Sequence, residues 1–228
     1  PDVQDVALGE DGIYANAKQG AIHVDMSSIR PDVSVELAEA GKKAGIRVVD
    51  APVSGGEAGA KEAKLSIMVG AEPADFDEVK PILEAMGTTV VLVGPPGSGQ
   101  TVKAANQLIV AGNYELVAEA IVFLRAYGVD TEAALKVLAG GLAGSTVLDR
   151  KGASMLAGQF QPGFRIDLHH KDMGIILDAA RAKEVVIPLG AVTAQLIAAL
   201  RAQGDGGLDH SDLLRGVERL SGQKVSGQ

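Results

Sequence analysis

The chain has 228 residues, 46% hydrophobic and 22% charged, a globular composition with room for one large domain or two ordinary ones. Its formal charge of −8 argues against a phosphate-backbone surface, and the absence of cysteine excludes disulfides and thiolate metal sites. With 3% aromatics and no Trp, the core has to be built from Ala, Val, Leu and Ile.

The opening PDVQDVALGEDG reads as a helix entered partway through a fold. AIHVDMS (21–27) is a short β-branched run expected to be a buried strand, and residues 31–45 show helical spacing between Pro31 and Gly45. RVVDAPV (47–53) and LSIMVG (65–70) read as strands, PADFDEVKPILEAMG (73–87) as a helix that Pro81 kinks or breaks, and TTVVLVG (88–94) as another strand. This alternation predicts a mostly parallel α/β sheet. Two prolines and three glycines in GPPGSGQ (94–100) mark a boundary. Beyond it the pattern is helical almost throughout. Residues 100–128 read as one long helix, apolar around most of its circumference and therefore expected to be buried on several sides. Asp130, Ser145 and Ser211 are expected N-caps of later helices. The expected architecture is part of a Rossmann-type dinucleotide-binding domain (1–97), then an all-α domain (98–228), joined by a long buried helix.

Several residue groups carry possible chemistry. Ser54, Gly55 and Gly56 follow a strand, at the edge where open α/β sheets bind ligands, and successive glycines turn N–H groups toward one point. On spacing alone an ordinary glycine turn reads equally well. Lys103 and Asn106 share a face near the start of the long helix. A lysine flanked by alanine and valine on a buried helix is suited to proton transfer, although a lysine snorkelling to solvent gives the same pattern. Ser27 and Ser28 end a strand and read either as cofactor contacts or as an N-cap. His169, His170, Lys171 and Asp172 cluster on an apolar helix, the histidines reading as packing or solvated residues. The four histidines, with His23 and His210, show no HxH or HExxH spacing, so no metal site is expected. No apolar run approaches the roughly 18 residues of a membrane span. No signal peptide opens the chain, and a cytoplasmic protein is the expectation.

The stretches DMSSI, DAPVSGGEAGA, LSIMVG, GSGQTVKAANQ, GGLAGSTVLD and PGFRIDLHHKD, in that order, resemble the β-hydroxyacid dehydrogenase family. The resemblance implies an enzyme using NAD or NADP on a small carboxylate substrate, and a homo-oligomer without nucleic-acid or membrane partners. It makes Lys103 the catalytic lysine, and Ser54, Gly55, Gly56, Asn106 and Phe164 substrate contacts. Ser28 and Lys171 would lie against the cofactor. Members commonly carry Asn-Asn after the lysine, whereas here Asn106 is followed by Gln107. KAANQ, GGLAGSTVLD and GFRIDLH lean toward the branch reducing tartronate semialdehyde (2-hydroxy-3-oxopropionate) to glycerate. A 3-hydroxyisobutyrate or other β-hydroxyacid dehydrogenase, and a non-catalytic oligomerisation or binding fragment, are the alternatives. The family's opening βα units, with their G-x-G-x-x-G turn, are expected to precede Pro1, and the ribose reader that separates NAD from NADP with them.

Overall fold

A computed structural model describes residues Asp2 to Gly227. The chain divides into two compact units, one ending at Asn106 and the other beginning at Gln107.

The first unit opens with helices α1 (Asp2–Leu8) and α2 (Ile13–Asn16). The sheet follows: β1 (Ile22–Asp25), β2 (Arg47–Asp50), β3 (Val53–Ser54), β4 (Leu65–Gly70) and β5 (Gly87–Gly94). Helix α3 (Pro31–Ala44) links β1 to β2; α4 (Gly56–Lys61) and α5 (Pro73–Glu84) flank β4. Pro31 and Pro73 stand in the first turns of α3 and α5, where a missing N–H costs nothing, and Gly45 ends α3 in the left-handed conformation. Helix α5 continues past Pro81 to Glu84.

The sheet is mixed rather than mostly parallel. β1 pairs with β2, and β4 with β5, in parallel, but β4 runs antiparallel to both β2 and β3. The β2–β4 junction is a single pair, Asp50 with Gly70, so the reversal leaves no periodic signature in the sequence. Leu65, Ile67 and Val69 alternate into one buried face of β4 and pack with Val49, Val79 and Leu83. Leu37, Ile46 and Val48 form a second cluster beneath α3.

Helix α6 (Ser98–Ala126) starts in the first unit and runs into the second, which continues with α7 (Thr131–Ala139), α8 (Thr146–Leu156), α9 (Ile166–Ala182), α10 (Pro188–Ala202) and α11 (Leu213–Leu220). Asp130 and Ser145 cap α7 and α8, accepting from the Ala133 and Leu148 N–H groups. Ser211 caps nothing; it lies buried in a 3₁₀ turn, its hydroxyl and N–H both donating to Asp209. Burial of α6 is one-sided. Ala111, Tyr114, Ala118 and Ile121 are buried, while Ile109, Leu116 and Phe123 are each more than 60% exposed or at that level. By length and composition this helix is also apolar enough to cross a membrane, which reading for uninterrupted apolar runs missed. Its buried stripe packs within the second unit: Tyr114 lies against His210, and a side chain at Gly190 of α10 would collide with Leu108.

Candidate active site

In the first unit the end of β2 meets the beginning of α6. Asp50 is the last residue of β2 and is 1% exposed. Its Oδ1 accepts the Gly97 N–H at 2.6 Å and its Oδ2 the Gln100 N–H at 2.8 Å, so one carboxylate satisfies two orphan donors at the helix start. Burial pushes the Asp50 carboxyl up from the usual range, with the neighbouring Asp25 adding to the effect, and the two N–H bonds oppose it. A methyl at Gly70 would overlap this carboxylate, and one at Gly99 would overlap both the Met68 carbonyl and the carboxylate.

One turn into α6, the Lys103 ammonium donates to the Val53 carbonyl at 2.8 Å, across fifty residues of sequence. Lys103 is half-buried and points back to the protein rather than snorkelling to solvent. Val53 immediately precedes Ser54, so the fold brings Lys103 to the Ser54–Gly56 segment. Gly55 (φ 139°) and Gly56 (φ 66°) both adopt backbone that L side chains rarely take, and Gly56 has open space where a Cβ would stand. Helix α4 starts at Gly56, so the segment read as a glycine turn is the entry to a short helix whose first N–H groups have no intrahelical acceptor. Asn106 is half-buried three residues after Lys103 on α6.

Ser28 lies on the loop after β1. Neither Ser27 nor Ser28 caps α3, whose N-cap is Arg30 with no side-chain bond. The loop is instead held by Gln100, which donates to the Ser27 carbonyl and accepts from the Ile29 N–H. Asp25 Oδ1 accepts the Ser27 N–H, and its buried Oδ2 has no hydrogen-bond partner. A hydroxyl donor and an unfilled buried acceptor at the carboxyl edge of a parallel strand pair fit the polar end of a nicotinamide. No G-x-G-x-x-G occurs in the sequence, so no residue here is assigned to the pyrophosphate.

The second unit holds Phe164 and Lys171. Asp209, fully buried, accepts the Gly163 and Phe164 N–H groups and pairs with Lys151 at 2.9 Å, which fixes the turn bearing Phe164. Burial alone would raise the Asp209 carboxyl; bonds from Ser211, Lys151 and Gly163, with His210 nearby, bring it to about 2. Phe164 packs against the rings of His169 and His210, which meet Nδ1 to Nδ1 at 3.0 Å. His169 Nε2 faces the Gln107 carbonyl at 3.4 Å. A carbonyl accepts only, so this assigns the His169 proton to Nε2, makes its Nδ1 the acceptor, and gives His210 the donating Nδ1–H. Both rings are then neutral. Burial, with His169 and Lys151 acting in the same direction, lowers His210 to about 3. His169 is therefore a packing residue on its apolar helix, and His210 packs against it from the 3₁₀ turn.

Lys171 forms an ion pair with Asp172 at 2.9 Å, and the buried Asp172 accepts from the Gln107 amide at 2.6 Å. Gln107 is therefore the position that ties α6 to α9. Sequence reading singled out neither Asp50, Gln100 nor the Gln107–Asp172 bond; buried polar residues next to glycines were the available signal. An open depression of about 440 Å³ lined by Asp167, His170, Arg201 and Gly204 contains none of the expected site residues. Among the described residues no cluster of metal-ligating side chains occurs.

A dinucleotide-type sheet with a lysine at its ligand edge, followed by an all-helical unit, defines the two-domain nicotinamide-dependent oxidoreductases. Residues 1–94 match the NAD binding domain of 6-phosphogluconate dehydrogenase, and residues 97–217 the NAD-binding domain of NADP-dependent 3-hydroxyisobutyrate dehydrogenase. The chain is 42% identical over 226 residues to 2-hydroxy-3-oxopropionate reductase of Escherichia coli K12, covering 99% of this chain and 77% of the relative. It is 35% identical to 2-(hydroxymethyl)glutarate dehydrogenase of Eubacterium barkeri, covering 99% and 75%. The crystal structure of a 3-hydroxyisobutyrate dehydrogenase from Salmonella typhimurium superposes with a TM-score of 0.84 at 26% identity, covering 93% of this chain and 74% of that one. The chain belongs to the NAD(P)-dependent β-hydroxyacid dehydrogenase family.

Proposed function

We propose that the protein reduces 2-hydroxy-3-oxopropionate to glycerate, with Lys103 as the general acid. The observation that carries this reading is the 2.8 Å bond from Lys103 to Val53, which sets an ammonium beside Ser54, Gly55 and Gly56. A nicotinamide held at this edge would supply the hydride for the aldehyde carbon, leaving the carbonyl electron pair on oxygen. Lys103 Nζ gives its proton to that oxygen and takes one back in the reverse reaction. The Ser54 hydroxyl and the glycine N–H groups hold the substrate carboxylate, and Asn106 bonds the substrate. By resemblance Phe164 walls the substrate, while Ser28 and Lys171 lie against the cofactor. The name of the 42%-identical relative, with the resemblance of GGLAGSTVLD to that branch, favours the hydroxylated substrate over a methyl-bearing one. We further propose a homo-oligomer assembled on the exposed face of α6, where Ile109, Leu116 and Phe123 recur every seven residues and so stand on one stripe.

The test is steady-state kinetics on 2-hydroxy-3-oxopropionate and methylmalonate semialdehyde. Lys103→Ala should lower kcat by about two to four orders of magnitude with little change in cofactor affinity. Lys103→Arg should not rescue, because a guanidinium does not release its proton near neutrality. Near-normal turnover in Lys103→Ala would remove the mechanism. A higher kcat/KM for the methyl-bearing aldehyde would move the protein to the 3-hydroxyisobutyrate branch while leaving the role of Lys103 intact.

A further inference from the structure

Gln100 is 1% exposed, yet its side chain serves neither solvent nor another side chain. Its Nε2 donates to the Ser27 carbonyl at 2.7 Å and its Oε1 accepts the Ile29 N–H at 3.1 Å. A primary amide is the one neutral side-chain group that offers a donor and an acceptor side by side, so it pairs with the loop as a neighbouring strand would. The two backbone groups it holds flank Ser28. The Gln100 main chain is fixed too, through its N–H to the buried Asp50. Three residues further along the same helix stands Lys103, bonded to Val53.

We propose that Gln100 is a positioning residue for hydride transfer: it locks the Ser28 loop to the helix turn that carries Lys103, so that the nicotinamide-side and proton-donating groups keep one spacing. The proposal rests on the reading of Lys103 as the general acid. Two links in series, from loop to Gln100 and from Gln100 to Asp50, tie the loop to β2. Removing the amide takes the partner from the Ser27 carbonyl and the Ile29 N–H together, and both then turn to water. Displacement of reacting groups by about 1 Å is enough to cost about a hundredfold in rate.

The experiment uses the full-length enzyme and Gln100→Met, which keeps the length and removes both hydrogen bonds, with Gln100→Asn as a polar second variant too short to span the loop. Val79→Ala, in the core cluster of the same unit, supplies a control destabilised without touching the clamp. Three readouts are taken: steady-state kinetics, the deuterium isotope effect on kcat with labelled cofactor, and exchange of the Ile29 amide in the protein without ligands. The expected result is a kcat lower by about 10- to 100-fold, KM for the aldehyde within about threefold, and a raised isotope effect. Ile29 should lose its protection, and Val79→Ala should keep kcat within about twofold. Turnover within about twofold of the parent in a variant whose Ile29 amide has become exposed would overturn the proposal. So would an equal fall of kcat in Val79→Ala. Full activity of Lys103→Ala would overturn the functional reading instead, and Ile29 exchange reports the clamp independently of that result.

Discussion

Asp212 offers a test in which the fold's own electrostatics set the size of the effect. Its carboxylate is fully buried, neither oxygen has a hydrogen-bond partner, and Arg215 stands 3.3 Å away as an ion pair. Burial is the largest influence and raises the carboxyl to about 7; Arg215 and Arg219 pull it down, and Asp205 pushes it up. A carboxyl titrating near 7 when folded and near 3.8 when unfolded binds its proton more tightly in the folded state. Stability from this group therefore grows as pH falls from 7 toward 4, and above pH 7 the ionised form costs about 4 kcal/mol. Asn keeps the shape of the protonated acid and cannot ionise. Asp212→Asn should thus be more stable than the parent by about 4 kcal/mol at pH 8.5 and by only about 1 kcal/mol at pH 4.5. For a chain of this size the larger figure is a rise in Tm of about 10 °C. Urea unfolding of both proteins at the two pH values measures the difference directly. Loss of stability in the variant at pH 8.5 would refute the reasoning, because Arg215 and the ionised carboxylate would then be a net stabilising pair.

His210 works in the opposite direction, since its neutral state is required in the fold and its folded value is about 3. The stability tied to it is complete above pH 6.5 and drains away as pH falls toward 3, so Asp212→Asn should show a clear acid-side decline that the parent partly masks. Gly56→Ala should cost about 1 to 2 kcal/mol for placing a side chain at φ 66°, with no steric clash, and should raise KM for the aldehyde while leaving that for the cofactor unchanged; an unaltered KM would take Gly56 out of the carboxylate site. Leu116→Glu, on the exposed stripe of α6, should shift sedimentation toward the monomer, and an unchanged assembly would place the contact elsewhere.

How much of this was legible beforehand depended on whether the signal was local. Strands β1, β4 and β5 and helices α3, α5 and α6 through α10 each announce themselves by period, cap or punctuation, and Asp130 and Ser145 do the capping their positions indicate. The reversal of β4 against β2 rests on one residue pair and has no such signature. Helix α4 was hidden because Gly55, Gly56 and Gly59 read as turn formers, whereas the two with positive φ stand at its entry and Gly59 lies buried within it. For α6 the composition is apolar on nearly every side, and composition alone does not say which faces the chain itself will cover.

The same distinction explains why the residues of the candidate site stood out in the sequence and those that hold them did not. Lys103, Ser54 and the two glycines are unusual for their surroundings: a charge on an apolar helix, and residues free to adopt φ values closed to others. Asp50 and Gln100 are ordinary by that measure, since an Asp ending a strand and a Gln opening a helix are both common. Their importance comes from burial and from bonding across 47 and 71 residues of sequence, which a linear reading does not see. A trace existed nonetheless. Gly70 and Gly99 are far apart and belong to different elements, yet a side chain at either would crowd the Asp50 carboxylate, and at Gly99 it would meet the Met68 carbonyl as well. The Asp50 carboxylate takes its donors from the Gly97 and Gln100 backbone, and glycine at 70 and 99 lets the surrounding main chain come that near. Glycines inside regular elements, rather than those in loops, are therefore the places to look for the hidden carboxylate that holds the start of a helix in position.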